Sequence, residues 1–511
     1  MIFFLTDWFR WNVSGVEHAQ IKRRKLFKHH GKNIKFLTVL PNAQNNHYAT
    51  RLGLTTDDYI NCFDWYQGVV DVPTVNLTAK DLIDLSLPWQ RVNTVYWQAV
   101  NANNVRIQVI TAEPVATIEA FANARIMTID WYGINGKFVQ TNRYDSRGFL
   151  NCSCFYDQTG NLNQEIYYDA HHRRRIQHHL SRIDHSQLTS HSYVVFDDLG
   201  QVKQIFSGLP ELVAYFYDVM NQNTGEDNAF ISDFEVATLA PTKYMKQRPA
   251  KLFVYEHNIM TDYFEHPILG NLPPFLLLVQ KMADQITGLI CGSHREAADL
   301  SQRMPVQLKV SAIPPVVLAD YDKPILRFDQ RRSFHCIAIA RISYQKALPR
   351  LIETFAKVKQ IVPQATLSIH GLTNDPDLFV QLQQQIKGNN LETAVNFSPY
   401  TPNINKVYDQ AMVALSTSRD EGYNMSLVEA CQHGTPIVAM DAPYGPGEII
   451  RNGKNGYLVN NGDIEAMASR ITQVLLASET EWQRLSHGAL ESCKRYSETN
   501  SWQKWRSVLG S

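Results

Sequence analysis

Between Ala411 and Ala430 an apolar run passes through a short acidic, glycine-containing loop into a helical pattern, and this unit constrains the fold more than any other stretch. Ala411-Met412-Val413-Ala414-Leu415 is short and unbroken enough for a buried strand. Ser418-Arg419-Asp420-Glu421-Gly422-Tyr423-Asn424 forms the loop, and an amphipathic segment begins near Met425. Such a unit sets a helix N-terminus at the C-terminal edge of a sheet, where open α/β sheets bind ligands and exposed N–H groups favour anions. Glu421 falls in the loop and Glu429 about one turn into the helix, suited together to gripping hydroxyls at two parts of one ligand. By spacing alone the pair is an ordinary surface acid plus a helix-side acid.

The same alternation recurs on both sides. Phe3–Leu5, a helix from Gly15 and the apolar run Ile34–Leu40 predict a strand–helix–strand opening. His335–Ala340, Ala365–Gly371, Asn396–Ser398 and Thr435–Asp441 predict further strands separated by helical segments. From about Asp71 to Gln204 the period changes to two, with turn dipeptides at Asn135-Gly136, Thr159-Gly160 and Leu199-Gly200. A Tyr-Asp pair returns at Tyr144-Asp145, Tyr156-Asp157 and Tyr168-Asp169, which suits successive antiparallel strands. The expected architecture is α/β, two Rossmann-like domains facing a cleft, with an antiparallel β-sheet domain inserted in the N-terminal half. The expected boundaries are 1–70 with 205–315 for the first domain and 71–204 for the insertion, which would bind acceptor or partner. The second domain takes 316–490, and 491–511 is a terminal helix packing back on the first domain. The Pro pair near Ile313-Pro314-Pro315 marks the linker.

Composition narrows the function classes. At 511 residues, 44% apolar and 19% charged, the chain is globular and long enough for several cores. Lys plus Arg equals Asp plus Glu at 49 each, so no basic field argues for nucleic acid. Met1–Asp7 reads as a first strand rather than a signal peptide, and the apolar run Pro273–Val279 is too short to span a bilayer. The cytoplasm, or the inner face of the cell membrane through peripheral association, is the expected location. Seven cysteines are scattered, and Cys152 with Cys154, on one face of an alternating strand, read as free thiols rather than metal ligands. The tract His171-His172-Arg173-Arg174-Arg175 reads as a solvated face, with docking of an anionic or polar acceptor as the second reading. No D-x-D pair reads as a metal site, so neither metal nor cofactor is expected.

Two further segments carry candidate chemistry. Arg341 and Lys346 follow the strand His335–Ala340 and suit a diphosphate whose leaving charge must be neutralised. His257 ends the apolar run Leu252–Tyr255, at a sheet's C-terminal edge.

The loop Glu421-Gly422-Tyr423-Asn424-Met425-Ser426-Leu427-Val428-Glu429-Ala430 resembles the E-G-F-G-L-x-x-x-E-A signature of retaining glycosyltransferases of family 4, which have the GT-B fold. Tyr423 stands for the family's Phe and Asn424 for a Gly. Ser14-Gly15-Val16-Glu17-His18-Ala19-Gln20, Phe230-Ile231-Ser232-Asp233 and Leu252-Phe253-Val254-Tyr255-Glu256-His257-Asn258 are similar to segments of the GtfA, TarM and TagE group, although Phe234 replaces the arginine expected after Asp233. Tyr444-Gly445-Pro446 looks nearest to the teichoic-acid members. The resemblance implies a UDP-sugar donor, UDP-N-acetylglucosamine or UDP-glucose, and transfer to a hydroxyl with retention and without a metal. Glu421 and His257 would hold the sugar, Glu429 the ribose, and Arg341 with Lys346 the diphosphate. Ser14, Gly15, Gly422, Asn424, Met425 and Ser426 would line the donor. Arg173, Arg174 and Arg175 would meet the acceptor. The acceptor is then a serine-rich surface protein, with a GtfB-like partner subunit or a second copy docking through the β domain. The alternative is a wall teichoic acid polymer, and the third reading a catalytically silent subunit.

Overall fold

The computed structural model describes residues 1–10, 15–77, 94–99, 104–110, 114–121, 125–133, 137–183, 187–225, 227–233, 235–264, 266–318, 327–398 and 403–510. Ser14, the Asn135-Gly136 turn and Phe234 lie outside the described residues. The chain forms two compact units, Met1–Val13 with Asn33–Lys251 and Ser14–Lys32 with Leu252–Ser511.

In the first unit four parallel strands lie in the order Ala229–Asp233, Ile2–Thr6, Ile34–Thr38, Tyr59–Asn61. Phe4, Phe36, Leu37 and Phe230 are fully buried in it, as expected of parallel strands covered on both faces. This unit also holds a ten-stranded antiparallel meander from Thr94–Ala99 to Val202–Phe206, in which every strand pairs with its chain neighbours. This is the inserted β-sheet domain that the period-two pattern predicts.

The twelve-residue step has a local cause. Asp145, Asp157 and Asp169 each begin a hairpin turn, with Oδ1 accepting the N–H two residues on. Each aspartate's carbonyl accepts the N–H of the third following residue, Gly148, Gly160 or His172, all at positive φ. Asp197 and Gly200 make a fourth turn of the same kind, preceded by Phe196 in place of Tyr. Aspartate mimics a backbone turn with its carboxylate, and glycine takes the left-handed position at no steric cost. His172, at φ 63°, is the exception among the four.

The second unit holds a three-stranded parallel sheet, Lys251–Tyr255, Gly288–Cys291 and Val310–Ala312, and a six-stranded one. The larger sheet runs Val395–Ser398, Thr366–His370, His335–Ile339, Val413–Ser416, Ile437–Met440, Gly456–Val459, all parallel. Numbered along the chain, that is the 3-2-1-4-5-6 order of a Rossmann sheet. Leu351, Ile352, Phe355 and Val358 of the helix Leu348–Ile361 recur at helical spacing and are buried against it. Trp482 belongs to this core: its indole N–H donates to the Met412 carbonyl at 2.9 Å. Trp502 and Trp505 instead pack on Phe27 of the helix Gly15–His29, with ring centroids at 5.5 and 5.2 Å.

Candidate active site

In a 3-2-1-4-5-6 sheet the chain reverses its direction of growth between strands 1 and 4, and a crevice opens beyond their carboxyl ends. Those strands are His335–Ile339 and Val413–Ser416, paired through Cys336–Val413 and Ile337–Ala414. The segments that follow them, 341–347 and 417–424, carry Arg341, Lys346, Glu421, Gly422 and Asn424, and the structure stitches the two together. Arg419 N–H donates to the Gln345 carbonyl at 2.9 Å, Gln345 Nε2 to Asp420 Oδ1 at 2.9 Å, and Thr417 Oγ1 to the Lys346 carbonyl at 3.2 Å.

Lys346 Nζ lies 2.6 Å from Glu421 Oε1, which also accepts from Ser418 Oγ at 2.6 Å. Both side chains are largely withdrawn from solvent, at 16% and 7% exposure, so the pair interacts with little screening. Removing one partner would strand a buried charge, at a cost of about 3–5 kcal/mol. Arg341 is exposed and makes no ion pair among the described residues, leaving its guanidinium available to an arriving anion. Gly371 explains why Arg341 can sit so close to the sheet: a Cβ there would lie 2.1 Å from the Ala340 carbonyl oxygen. Burial raises the Asp420 carboxyl above the usual range; its hydrogen bond from Gln345 pulls the other way.

Asn424 precedes the helix Met425–Gln432 at φ 71°, ψ 67°, in the left-handed region. Glycine, or asparagine after it, takes that conformation most readily, which accounts for Asn where the signature has Gly. Its side chain is tied on both sides, donating to Ser416 Oγ at 2.9 Å and accepting from Ser426 Oγ at 2.8 Å. Tyr423 is equally well placed, its hydroxyl 2.8 Å from that of Tyr496. Neither departure from the signature distorts the loop.

His257 follows the strand Lys251–Tyr255, its ring stacked on Tyr255 with centroids 4.2 Å apart. A Cβ on Gly422 would fall 1.9 Å from the His257 carbonyl oxygen, so the His257 turn and the Glu421 loop are in backbone contact that only glycine allows. Gly15 lies beside Met425: a Cβ on it would be 3.1 Å from that side chain's terminal methyl. Glu429 accepts from Lys22 Nζ at 3.0 Å and from the Tyr408 hydroxyl at 3.2 Å. Glu421, Arg341, Lys346, His257, Gly15, Gly422, Asn424, Met425, Ser426 and Glu429 therefore all belong to the second unit. Arg173, Arg174 and Arg175 lie on the meander of the first, already engaged: Arg173 with Asp169, Arg175 with Asp198, and Arg174 over the Phe196 ring at 3.9 Å.

Four residues at the site went unread in the sequence. Lys22 and Tyr408 share Glu429, from too far along the chain to leave a local pattern. Ser418, three residues before Glu421, holds its carboxylate. Glu256 is the fourth, fully buried beside His257. Burial lifts its carboxyl to about 8, against hydrogen bonds from the Asn258 and His257 N–H groups. Glu296, also fully buried, is held well above the usual range by burial first and by the Glu256 charge second.

Two cations and a carboxylate in the loops at a Rossmann switch point suit a ligand that carries both phosphate and hydroxyl groups. Comparison with known proteins agrees. Residues 326–489 match the family model for glycosyl transferases group 1. The chain is a glycosyltransferase with the GT-B fold. It is similar to the UDP-N-acetylglucosamine–peptide N-acetylglucosaminyltransferase GtfA subunit of Streptococcus parasanguinis, at 22% identity over 96% of each chain. Poly(glycerol-phosphate) alpha-glucosyltransferase of Bacillus subtilis (strain 168) is 29% identical over 176 residues, 34% of this chain and 26% of that protein. The crystal structure of pneumococcal O-GlcNAc transferase GtfA in complex with UDP and GlcNAc superposes with a TM-score of 0.79 at 18% identity, over 100% of this chain and 98% of that one. No helix among the described residues of this glycosyltransferase is long and apolar enough to cross a membrane.

Proposed function

We propose that this glycosyltransferase moves N-acetylglucosamine from a UDP donor to serine hydroxyls of a serine-rich bacterial surface protein, with retention at the anomeric carbon. The observation that carries the reading is the Lys346–Glu421–Ser418 cluster at the switch point, with Arg341 exposed beside it. Arg341 and Lys346 neutralise the charge growing on the departing diphosphate, the interaction that strengthens most in the transition state. On donor binding Lys346 turns from Glu421 to phosphate, and the freed carboxylate takes sugar hydroxyls. His257 and the Gly422–Ser426 loop hold the sugar. Glu429 exchanges Lys22 or Tyr408 for the ribose, and Ser14 with Gly15 closes the donor pocket. Positioning supplies the rest of the rate.

In this account residues 1–70 and 205–315 form the acceptor-side domain, 316–490 the donor domain, and 491–511 a helix that packs back on the first. The insertion at 71–204 receives the acceptor, or a partner subunit of GtfB type or a second copy. The reaction belongs in the cytoplasm, at or near the inner face of the membrane. A second reading, a polyol-phosphate acceptor, is favoured by the higher local identity to the Bacillus subtilis enzyme. The arginine tract adds little to it, since Arg173 and Arg175 are already paired with Asp169 and Asp198.

Intact-mass spectrometry separates the two. A serine-rich repeat polypeptide incubated with the enzyme and UDP-N-acetylglucosamine is expected to gain successive N-acetylhexosamines, and none with Glu421→Gln. No gain on the polypeptide, with UDP released when polyol-phosphate is supplied, would transfer the assignment to teichoic acid. No UDP release with either acceptor would leave a silent subunit.

A further inference from the structure

The meander of the first unit holds a cluster of soft and charged ligand atoms that sugar transfer does not use. Cys152 and Cys154 lie on one face of the strand Leu150–Tyr156, both fully buried, their sulfur atoms 3.8 Å apart. The register sets Glu165 of the neighbouring strand opposite Cys154 and Tyr167 opposite Cys152. On the next strand His178 stands opposite Glu165. Glu165 Oε1 is 3.6 Å from Cys154 Sγ, and Oε2 is 2.9 Å from His178 Nδ1 and 3.0 Å from the Tyr167 hydroxyl. The three candidate donor atoms, two thiol sulfurs and a carboxylate oxygen, all lie within 4.8 Å of one another.

We propose that Cys152, Cys154 and Glu165 bind a thiophilic divalent cation, zinc, with His178 as the outer partner that orients the carboxylate. Zinc–sulfur bonds of about 2.3 Å at tetrahedral angles set two thiolates about 3.8 Å apart, and a sulfur and a carboxylate oxygen about 3.5 Å apart. The observed 3.8 and 3.6 Å match both edges. A disulfide fits less well. At about 3.3 Å rise per residue, alternate α-carbons of a strand lie near the upper limit of what a disulfide spans.

Charge balance points the same way. Two thiolates, a carboxylate and a dication sum to one negative charge, and Arg143 lies 3.4 Å from Glu165 Oε1 to offset it. On binding, two zinc–sulfur bonds form and the thiol protons leave to solvent. Cys152, Tyr167 and Arg143 also line a pocket of about 220 Å³ beside the cluster. Ligating carboxylates are themselves hydrogen-bonded, as Glu165 is by His178 and Tyr167. The ion would pin two adjacent strands of the meander. This departs from the sequence reading of the two cysteines as free thiols: the third ligand arrives from the neighbouring strand, out of reach of any local spacing.

The test is metal content of the full chain purified from zinc-supplemented culture. About one zinc per chain is expected, and cobalt substitution should give the strong near-ultraviolet band of thiolate coordination. Cys154→Ser and Glu165→Gln should each lose the metal with an unchanged circular-dichroism spectrum. If those variants do not fold, wild-type protein stripped by chelator should melt lower, and zinc but not magnesium should restore its Tm. Metal-free protein whose two thiols alkylate fully once unfolded, or whose mass shows the loss of two hydrogens, would overturn the proposal. So would a chelated sample whose Tm does not change on adding zinc.

Discussion

Asn424 does two things with one side chain: it occupies a left-handed position and it ties the loop to Ser416 and Ser426. Asn424→Ala should cost about 1–2 kcal/mol, because alanine pays the left-handed penalty and makes neither contact. Asn424→Gly should keep the loop and cost less; chemical denaturation of the two variants checks the order. Glu256 tests burial. Above its ordinary value of 4.5 the unfolded chain loses this proton, while the folded chain keeps it to about 8. Stability is therefore lost as pH rises through that window. Glu256→Gln keeps the acceptor for Asn258 and removes the titration. Its Tm should gain on wild type by about a few degrees between pH 5 and 8. A gap that does not change with pH would contradict the assignment. The sequence showed which residue types gather at the site, since Glu421, Lys346 and Arg341 lie in loops after recognisable strands. It did not show that Lys346 rests on Glu421, because a contact across 75 positions is created by sheet order and not by local pattern.

At the scale of elements, the meander was legible because its turns are chemically repetitive. An aspartate closes four of them through its carboxylate, three with glycine and one with His172 at positive φ. His172 is the odd member. His172→Gly should stabilise the chain by about 1 kcal/mol by removing a left-handed strain that glycine does not bear. Equal or lower Tm would show that its ring contact with Tyr168, at 4.7 Å, matters more. The fourth turn, at Asp197, escaped the Tyr-Asp pattern because the aromatic residue before it is Phe196. The helix Gly15–His29 shows the opposite case. Its sequence predicts a helix after the first strand but not its partners within the second unit, which include the terminal helix, Tyr255 and Glu429. Nothing within those fifteen residues reports that choice.

For the whole molecule one topological fact decides: a 3-2-1-4-5-6 sheet opens where the loop that carries Arg341 and Lys346 meets the loop of Glu421. Strand alternation made two Rossmann-like sheets legible, but strand order decides which loops meet, and order is set by long-range pairing. The most direct test is turnover of UDP-N-acetylglucosamine with acceptor, wild type beside Lys346→Ala, with UDP affinity measured on the same samples. If Lys346 neutralises the leaving diphosphate, kcat should fall by about 10²–10³ with a smaller change in UDP affinity. A Lys346→Ala enzyme that turns over at the wild-type rate would contradict the account.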